Sequence, residues 1–536
     1  MGFLPRFPLI VGTLFCGTLV CSHGCLPSLD VPAEPASTGE PVDLAIREDL
    51  PKTPDASLTV ATISPPMGKV SGGEEVTVRG RGFRGDMKVS FYRSLRTSIS
   101  TTINAQIIGN ISSDSFKMMV PAAPDRMSHG PVGIVIDLPD KSQWRSNEGI
   151  FSYHTDRISF GPPSEINREY NGMQVILGTD INGDGKTDVV VAKNRFNLFG
   201  FSRQGTTTAA GPQFTPEAGF LHGLPMNLPV AAQAHRLIAT DVTGDSVPDL
   251  LLARGDGVYR CTGQKSVDSP KFGCKDPVNL FTGTYSALDP RKVTIHAIDI
   301  SKVKQHVIVS QTAVSNGGTV SLDFRSFEKI DVSLNIADPK PAFVSAISSL
   351  AVVNSDTASS SYRLAVGLSS GTSENLQIFR VQQEMSNGPI QLTGEPKLSI
   401  SEGPGAMLVS DLDMDENADL VIASESGAID LVYGVSGGRF DPVVVNIRKP
   451  LSPVQLRVQD VNGDRYPDLV YLAGSNVFVR ENASARDFKP ESKFLDSASG
   501  WSAFDVVPLD ASETLPDLIL ANGSTKQLSY SLNQSK

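Results

Sequence analysis

The sequence predicts an all-β chain in which a β-sandwich precedes a seven-bladed β-propeller. Three observations lead to this prediction. An acidic nine-residue loop followed by an apolar strand recurs through the C-terminal two thirds of the chain. Short strand-like segments separated by proline and glycine turns fill residues 58–153. The chain has 536 residues, too many for one hydrophobic core, so two or more domains are expected.

The first 25 residues predict an export signal. Arg6 precedes the apolar run LIVGTLFCGTLV at 9–20, which is too short to span a bilayer comfortably. Gly24 then precedes Cys25, which resembles the processing site of bacterial lipoproteins. The resemblance implies a lipid on Cys25, and plain secretion after ordinary cleavage is the alternative. We expect an exported protein at the cell envelope or outer surface, held to the membrane only through this possible anchor.

Residues 26–57 predict a disordered linker. They contain six prolines, seven acidic residues and two basic residues, without an apolar period. Behind a lipidated cysteine, such a segment would tether the following domain away from the membrane.

Residues 58–154 predict a β-sandwich, because strand-like segments such as EEVTVRG and GPVGIVIDLP recur between turns. The segment also resembles the IPT/TIG family of immunoglobulin-like domains. The residues that carry this resemblance are Pro65, Pro66, Gly68, Gly72, Gly73, Gly80, Gly82, Phe83, Phe151 and Tyr153. The family implies a spacer or binding module and not a catalyst.

Residues 158–534 are organised by the acidic loop. Strong copies begin at Asp180, Asp241, Asp411 and Asp460, and weakened copies begin at Asp299, Asn354 and Asp510. Successive starts are 61, 58, 55, 57, 49 and 50 residues apart, which predicts seven units packed radially. The last unit is short, so we expect the segment DRISFGPP (156–163) to supply its missing strand. The region resembles the FG-GAP (VCBS-type) repeats of integrin α-subunit propellers and bacterial surface proteins.

The four strong loops predict calcium sites, because hard cations prefer six to eight oxygen ligands. We number each nine-residue loop from its first aspartate. The side chains at positions 1, 3, 5 and 9 of such a tight loop can turn inward, and position 7 can offer its backbone carbonyl. The predicted ligands are Asp180, Asn182, Asp184, Lys186 (carbonyl) and Asp188 in loop 1; Asp241, Thr243, Asp245, Val247 (carbonyl) and Asp249 in loop 2; Asp411, Asp413, Asp415, Asn417 (carbonyl) and Asp419 in loop 3; and Asp460, Asn462, Asp464, Tyr466 (carbonyl) and Asp468 in loop 4. About four Ca²⁺ would change the formal charge from -11 to -3.

Two other interpretations of these loops are weaker. An EF-hand needs flanking helices and a glutamate at position 12, whereas the residues after these loops are strand-like and none is glutamate at that position. An acidic turn without metal would leave three or four carboxylates repelling one another. Neither histidine nor cysteine accompanies the oxygens, which argues against softer metals.

Cys261 and Cys274 are the cysteines that follow the signal region. In an exported chain, two cysteines that flank a short polar loop are expected to form a disulfide, worth roughly 3 kcal/mol on the chain-entropy model.

The sequence predicts a binding protein and not an enzyme. The net charge of -11 argues against a nucleic-acid partner. The chain contains no G-x-S-x-G, no H-E-x-x-H and no phosphate-binding loop. We expect calcium-stabilised adhesion or recognition of an extracellular protein or glycan. The alternatives are a lectin with pockets between blades and, less favoured, a polysaccharide lyase or hydrolase built on the propeller.

Overall fold

The computed structural model describes most of the chain from residue 58 to residue 535. The described ranges are 58–94, 100–124, 130–147, 149–155, 157–167, 173–193, 197–208, 211–216, 234–240, 248–254, 257–261, 278–279, 294–301, 304–311, 321–326, 333–334, 347–354, 362–368, 375–382, 390–401, 404–424, 426–448, 453–484, 486–495, 500–509 and 515–535. The fold is all-β, and these ranges contain no helix. Accordingly, they include no helical segment with the length and hydropathy needed to cross a membrane.

The N-terminal part forms a single nine-stranded sheet in the path β1-β3-β6-β5-β4-β7-β9-β2, with β8 paired to β7. Its strands are β1 (Thr59–Ser64), β2 (Met67–Lys69), β3 (Glu75–Arg81), β4 (Lys88–Ser94), β5 (Ser100–Ile108), β6 (Ser115–Met119), β7 (Gly130–Asp137), β8 (Gln143–Arg145) and β9 (Phe151–His154). The two ends of the path, β1 and β2, are neighbours in sequence, so the sheet is nearly closed and barrel-like. Phe91, Phe116, Phe151 and Tyr153 fill its core.

The residues described from 164 onward form seven four-stranded antiparallel sheets, here called sheets 1 to 7. The strand β10 (Ser164–Asn167) comes first in sequence and belongs to sheet 7. Sheets 1 to 4 contain, in order, β11 (Met173–Thr179), β12 (Asp188–Lys193), β13 (Asn197–Thr208) and β14 (Gly211–Pro216); β15 (Ala234–Thr240), β16 (Asp249–Arg254), β17 (Gly257–Cys261) and β18 (Val278–Asn279); β19 (Thr294–Ser301), β20 (Lys304–Gln311), β21 (Ser321–Ser326) and β22 (Ser333–Leu334); and β23 (Ile347–Asn354), β24 (Tyr362–Leu368), β25 (Leu376–Gln382) and β26 (Gln391–Gly394). Sheets 5 to 7 contain β27 (Pro404–Ser410), β28 (Asp419–Ser424), β29 (Ile429–Val435) and β30 (Arg439–Arg448) in sheet 5; β31 (Pro453–Gln459), β32 (Asp468–Ala473), β33 (Asn476–Arg480) and β36 (Ser492–Leu495) in sheet 6, where the small hairpin β34 (Asn482–Ser484) and β35 (Asp487–Phe488) is inserted; and β37 (Trp501–Val507), β38 (Asp517–Asn522) and β39 (Gln527–Ser531), together with β10, in sheet 7.

The first strands of the seven sheets contact one another in succession. β11 contacts β15, and the series continues through β19, β23, β27 and β31 to β37, which contacts β11 again. Sheet 7 is completed by β10, which pairs with the C-terminal strand β39. The strand that closes sheet 7 therefore lies directly after the predicted segment 156–163, within which Phe160 forms a single bridge to Asn533.

The hydrophobic core lies between neighbouring sheets, which explains the unbroken apolar runs after the acidic loops. Successive side chains of a strand point to opposite faces of its sheet. In β12, Val190 packs toward sheet 2, whereas Val189 and Val191 pack toward sheet 7. Both faces are buried, so the strand does not alternate between apolar and polar residues. The same arrangement places Val421 and Leu469 in the core shared by sheets 5 and 6.

Candidate metal centres

Each acidic loop connects the first and second strands of its sheet, and position 9 is the first residue of the second strand. Loops 1, 3 and 4 (residues 180–188, 411–419 and 460–468) are described in full and lie in sheets 1, 5 and 6. In loop 2, Asp241, Thr243, Asp245 and Val247 lie outside the described residues, whereas Asp249 begins β16 and is fully buried.

The position-1 aspartate holds each loop by accepting bonds from backbone N–H groups. Asp180 Oδ2 accepts from Gly185 N at 2.7 Å, and Asp411 Oδ2 accepts from Glu416 N at 2.9 Å. Asp460 Oδ2 accepts the corresponding bond from Arg465 N at 2.8 Å. The shared pattern shows that the three loops have the same local structure.

The position-5 aspartate fixes the next part of each loop. Its Oδ1 accepts from the N–H of position 7 at 2.8–2.9 Å: from Lys186 to Asp184, from Asn417 to Asp415, and from Tyr466 to Asp464. The residue that offers the predicted carbonyl ligand, Lys186, Asn417 or Tyr466, is therefore held through its own N–H by the aspartate two residues before it.

The position-9 aspartate has a second role that sequence reasoning missed. Asp419 accepts from Leu412 N and from Gly434 N, both at 2.7 Å, so it ties the start of loop 3 to the third strand of sheet 5. Asp188 makes the same two bonds, to Ile181 N at 3.2 Å and to Arg203 N at 2.8 Å. In loop 4, Asp468 binds Val461 N and Asn482 N at 3.0 and 2.8 Å.

Sheet 7 shows that this bridge does not require an aspartate at position 1. Asp517 accepts from Leu509 N at 2.9 Å and from Asn533 N at 2.7 Å. Leu509 therefore takes position 2, where Ile181, Leu412 and Val461 lie in the other loops. This corrects the expected alignment, in which Asp510 took position 1 and the loop was one residue too short. The loop is one residue longer, and Asp510 itself lies outside the described residues.

In loop 3, Asp411, Asp413 and Asp419 converge, with one ligand oxygen from each within 4.8 Å of the others. Two oxygens bound to one Ca²⁺ at 2.3–2.6 Å lie at most about 5 Å apart, so the spacing fits one ion. The Asp413 side chain is 5% exposed, and its Oδ1 has no hydrogen-bond partner among the described residues. A buried carboxylate oxygen without a donor is the observation that best fits a cation ligand.

A basic side chain lies next to this cluster. Arg486 Nε donates to Asp413 Oδ2 at 2.6 Å, and its guanidinium lies 4.2 Å from the centre of the Tyr433 ring. Asp415 does not join the cluster: it is exposed and accepts from the loop backbone. Asp411, Asp413 and Asp419 would therefore hold the ion, and bound calcium would supply the positive charge that three close carboxylates lack.

Burial and mutual repulsion raise the pKa values of several loop carboxylates. Burial raises the pKa of Asp419 to about 7, and the charges of Asp413 and Asp411 act in the same direction. The pKa of Asp188 is also raised to about 7, mainly by burial. In loop 4, burial raises the pKa of Asp464 to about 7 and that of Asp468 well above the ordinary range. The loops therefore favour a compensating positive charge.

Loops 1 and 4 carry asparagine at position 3, so each offers three carboxylates and one amide oxygen. Lys186 Nζ lies 3.2 Å from Asp184 Oδ2 in loop 1. In loop 4, Asn462 Nδ2 donates to Asp464 Oδ2 at 2.9 Å. Among the residues that the structure describes, the tight convergence of three acidic side chains occurs in loop 3.

Loop 4 differs from loops 1 and 3 because it contacts the nine-stranded sheet. Thr155 N donates to Asn462 O at 2.9 Å, and Ser152 Oγ donates to Gly463 O at 3.0 Å. Arg465 Nη2 donates to Gly149 O. Sequence reasoning did not anticipate this contact, although the arginine at position 6 was a signal: loop 1 has glycine there.

The predicted disulfide is not described. Cys261 ends β17, and Cys274 lies outside the described residues. The pairing remains a prediction.

Two family models match the chain. Residues 58–153 match the IPT/TIG domain, and residues 411–471, which span loops 3 and 4, match the FG-GAP-like repeat. Both resemblances inferred from the sequence are thereby confirmed. These domains are typical of binding and adhesion proteins that are not enzymes, and FG-GAP repeats commonly bind calcium.

Two similar solved structures are distant from this chain in sequence. A structure of BBS1N in complex with ARL6DN, soaked with mercury, is 12% identical with a TM-score of 0.42, covering 71% of this chain and 98% of that chain. A structure on specific recognition of non-reducing terminal N-acetylglucosamine by an Agrocybe aegerita lectin is 14% identical with a TM-score of 0.40, covering 68% and 90%. No curated protein matches the sequence. These similarities do not bear on what this chain binds.

Proposed function

We propose that this protein is an exported, envelope-anchored and calcium-stabilised binding protein for adhesion or recognition at the cell surface. The observation that carries the calcium part is the convergence of Asp411, Asp413 and Asp419, with a buried, unpartnered carboxylate oxygen, in the segment that matches the FG-GAP-like repeat. The binding role is supported by the combination of this repeat with an IPT/TIG domain.

The seven sheets would form the blades of a seven-bladed propeller. The succession of contacts between first strands, from β11 round to β37 and back, supports this arrangement. The pairing of β10 with β39 would close the ring, because it joins the first residues of the repeat region to the last. Such closure leaves only short sheet edges exposed.

A calcium titration of the full chain tests the metal part. Isothermal titration calorimetry should detect binding of about four ions, and Asp413→Asn should remove one of them. Asp415→Asn is the matched control in the same loop, because Asp415 lies outside the converging set and its substitution should leave the count unchanged. If the wild-type chain binds no calcium, the metal part is wrong.

A binding screen tests the recognition part. The purified full chain would be applied to arrays of extracellular proteins and of glycans, in calcium and in chelator. We expect the chain to bind a protein, and we expect this binding to be weaker in chelator than in calcium. A pocket outside the seven sheets favours a glycan-binding alternative different from the expected lectin with pockets between blades: in the N-terminal domain, an open pocket is lined by Trp144, Arg145 and Asn147. Binding confined to glycans, and lost in Trp144→Ala, would favour that alternative.

Export and anchoring have their own test. The intact mass of the mature protein should correspond to a chain that begins at Cys25 and carries lipid. The Cys25→Ser variant should then leave the membrane fraction. A mature chain cleaved elsewhere and found in the medium would show plain secretion.

A further inference from the structure

Loop 4 carries two kinds of contact in one nine-residue segment. Its side chains at positions 1, 5 and 9 are the acidic residues of a candidate metal centre. Its backbone carbonyls at positions 3 and 4 accept hydrogen bonds from Thr155 N and Ser152 Oγ of the IPT/TIG domain and its connector. Any rearrangement of the loop that moves these carbonyls also breaks the bonds to the domain.

Position 6 gives loop 4 a side-chain contact in addition to its two backbone contacts with the domain. The backbone at this position is left-handed in all three described loops: φ is +79° at Gly185, +68° at Glu416 and +74° at Arg465. Glycine adopts this conformation without cost, whereas an arginine does so against its preference. Arg465 uses its side chain to donate to Gly149 O across the domain boundary.

Loop 1 provides an internal comparison. Loops 1 and 4 have the same residue types at positions 1, 3, 4, 5 and 9, namely Asp, Asn, Gly, Asp and Asp. Their exposure differs, because Asp184 in loop 1 is exposed whereas Asp464 in loop 4 is 5% exposed. The IPT/TIG domain lies against a loop whose composition otherwise matches a loop that faces solvent.

We infer that cation binding by loop 4 and docking of the IPT/TIG domain onto the seven-sheet region are coupled, so that calcium fixes the arrangement of the two domains. This inference rests on the proposed calcium binding. Without a cation, Asp460, Asp464 and Asp468 repel one another, which favours a more open loop. With a cation, the loop keeps the conformation that presents the carbonyls of Asn462 and Gly463. By linkage, docking must raise the calcium affinity of loop 4 by the same factor.

The exchange rate of the Thr155 amide hydrogen reports docking directly, because this N–H donates to Asn462 O across the boundary. Hydrogen exchange would be followed by mass spectrometry with fragmentation that resolves single amides, on the full chain. In the wild type, this amide should exchange at least tenfold faster in chelator than in calcium. The amide of Leu138, which donates to Ser142 O at 2.9 Å within the domain and away from the residues that contact loop 4, is the internal control and should not change.

Two matched substitutions distinguish the effect of the ion in loop 4 from the effect of calcium bound elsewhere in the chain. Asp464→Asn and Asp184→Asn make the same change at position 5 of loops 4 and 1. Because position 3 is asparagine in both loops, whereas loop 3 has Asp413 there, each change removes one of only three carboxylates, and calorimetry should show that each variant loses one ion. Only Asp464→Asn should show fast exchange at Thr155 in calcium. If the two variants speed the exchange equally, or if neither does while ions are lost, the coupling is wrong and calcium binding stands. If the wild type binds no calcium, both proposals fail.

A second pair covers the case in which Asp464→Asn does not fold. Arg465→Gly places at position 6 the residue that loop 1 already has, so the loop should form and the ion count should be unchanged. It removes the bond to Gly149 O, and exchange at Thr155 should rise several-fold in calcium. Glu416→Gly is the control at the same position of loop 3 and should leave Thr155 unaffected. Slow exchange at Thr155 in Arg465→Gly would overturn the role given to this arginine.

Discussion

Asp517 allows the structural role of the position-9 aspartate to be measured apart from metal binding. It is fully buried in sheet 7, and it bridges Leu509 N and Asn533 N. Each hydrogen bond to a charged group contributes roughly 1.5–3 kcal/mol to the free energy of unfolding. Asp517→Ala removes both bonds and should lower this free energy by about 3–6 kcal/mol. Asp517→Asn keeps one acceptor oxygen and should lower it by about half as much.

The matching substitution in loop 3 should behave differently. Asp419→Ala removes the bonds to Leu412 N and Gly434 N and also removes a candidate calcium ligand. The decrease in the free energy of unfolding caused by Asp419→Ala should therefore be larger in calcium than in chelator, by about 2.7 kcal/mol at a hundredfold excess of calcium over its dissociation constant. The cost of Asp517→Ala should be the same in calcium and in chelator.

Urea unfolding followed by tryptophan fluorescence can measure both effects. Trp501 lies in β37 beside β38, which begins at Asp517, and is 4% exposed. A Trp144→Phe background removes the signal of the other tryptophan, in the IPT/TIG domain. A cost below about 1 kcal/mol for Asp517→Ala would refute the hydrogen-bond argument. A calcium-dependent cost equal to that of Asp419→Ala would refute the separation of the two roles.

Three further outcomes are expected. Glu416→Gly should raise the free energy of unfolding by about 1 kcal/mol, because glycine relieves a left-handed residue whose side chain is exposed; a decrease in urea midpoint would contradict this. Asp505→Ala should lower the free energy of unfolding by about 1–3 kcal/mol in the same assay, because it removes the acceptor of Gly178 N and of Arg457 Nε, 2.6 Å away, and an unchanged midpoint would show that these bonds contribute nothing. Cys261 and Cys274 should resist alkylation until the native protein is reduced, and the modification of both thiols beforehand, seen by mass spectrometry, would exclude the disulfide.

The repeat architecture was predictable because a strand that is buried on both faces has an unbroken apolar run in its sequence. The acidic residues of loops 1, 3 and 4 mark the same turn in three sheets, and the apolar run that follows each loop marks the second strand. The unit of sheet 7 was harder to align, because Pro508 takes the place of the position-1 aspartate and the loop is one residue longer. Asp517 and the buried Leu509 identify the register only once their hydrogen bond is seen.

The site was less predictable than the fold, because oxygen-rich spacing does not determine which side chains meet. Asp415 matches the pattern of ligands but lies outside the converging set, and Arg486 reaches Asp413 from a hairpin 73 residues further along the chain. The contact between loop 4 and the IPT/TIG domain joins residues more than 300 positions apart. No local pattern can encode such a pairing.

The position-9 aspartate explains how sheet 7 keeps its strand pairing without an aspartate at position 1. Its two backbone bonds tie the start of the loop to the third strand in sheets 1 and 5, and to a residue just after the third strand in sheets 6 and 7. Sheet 7 retains this aspartate although Pro508 takes the place of the position-1 aspartate, and its β37–β38–β39 pairing is regular from Ala503 onward. The proposed metal binding would therefore be an addition to a loop that the fold already specifies. Substitutions at positions 1, 3 and 5 can vary between units, whereas loss of position 9 removes a structural element from the sheet itself.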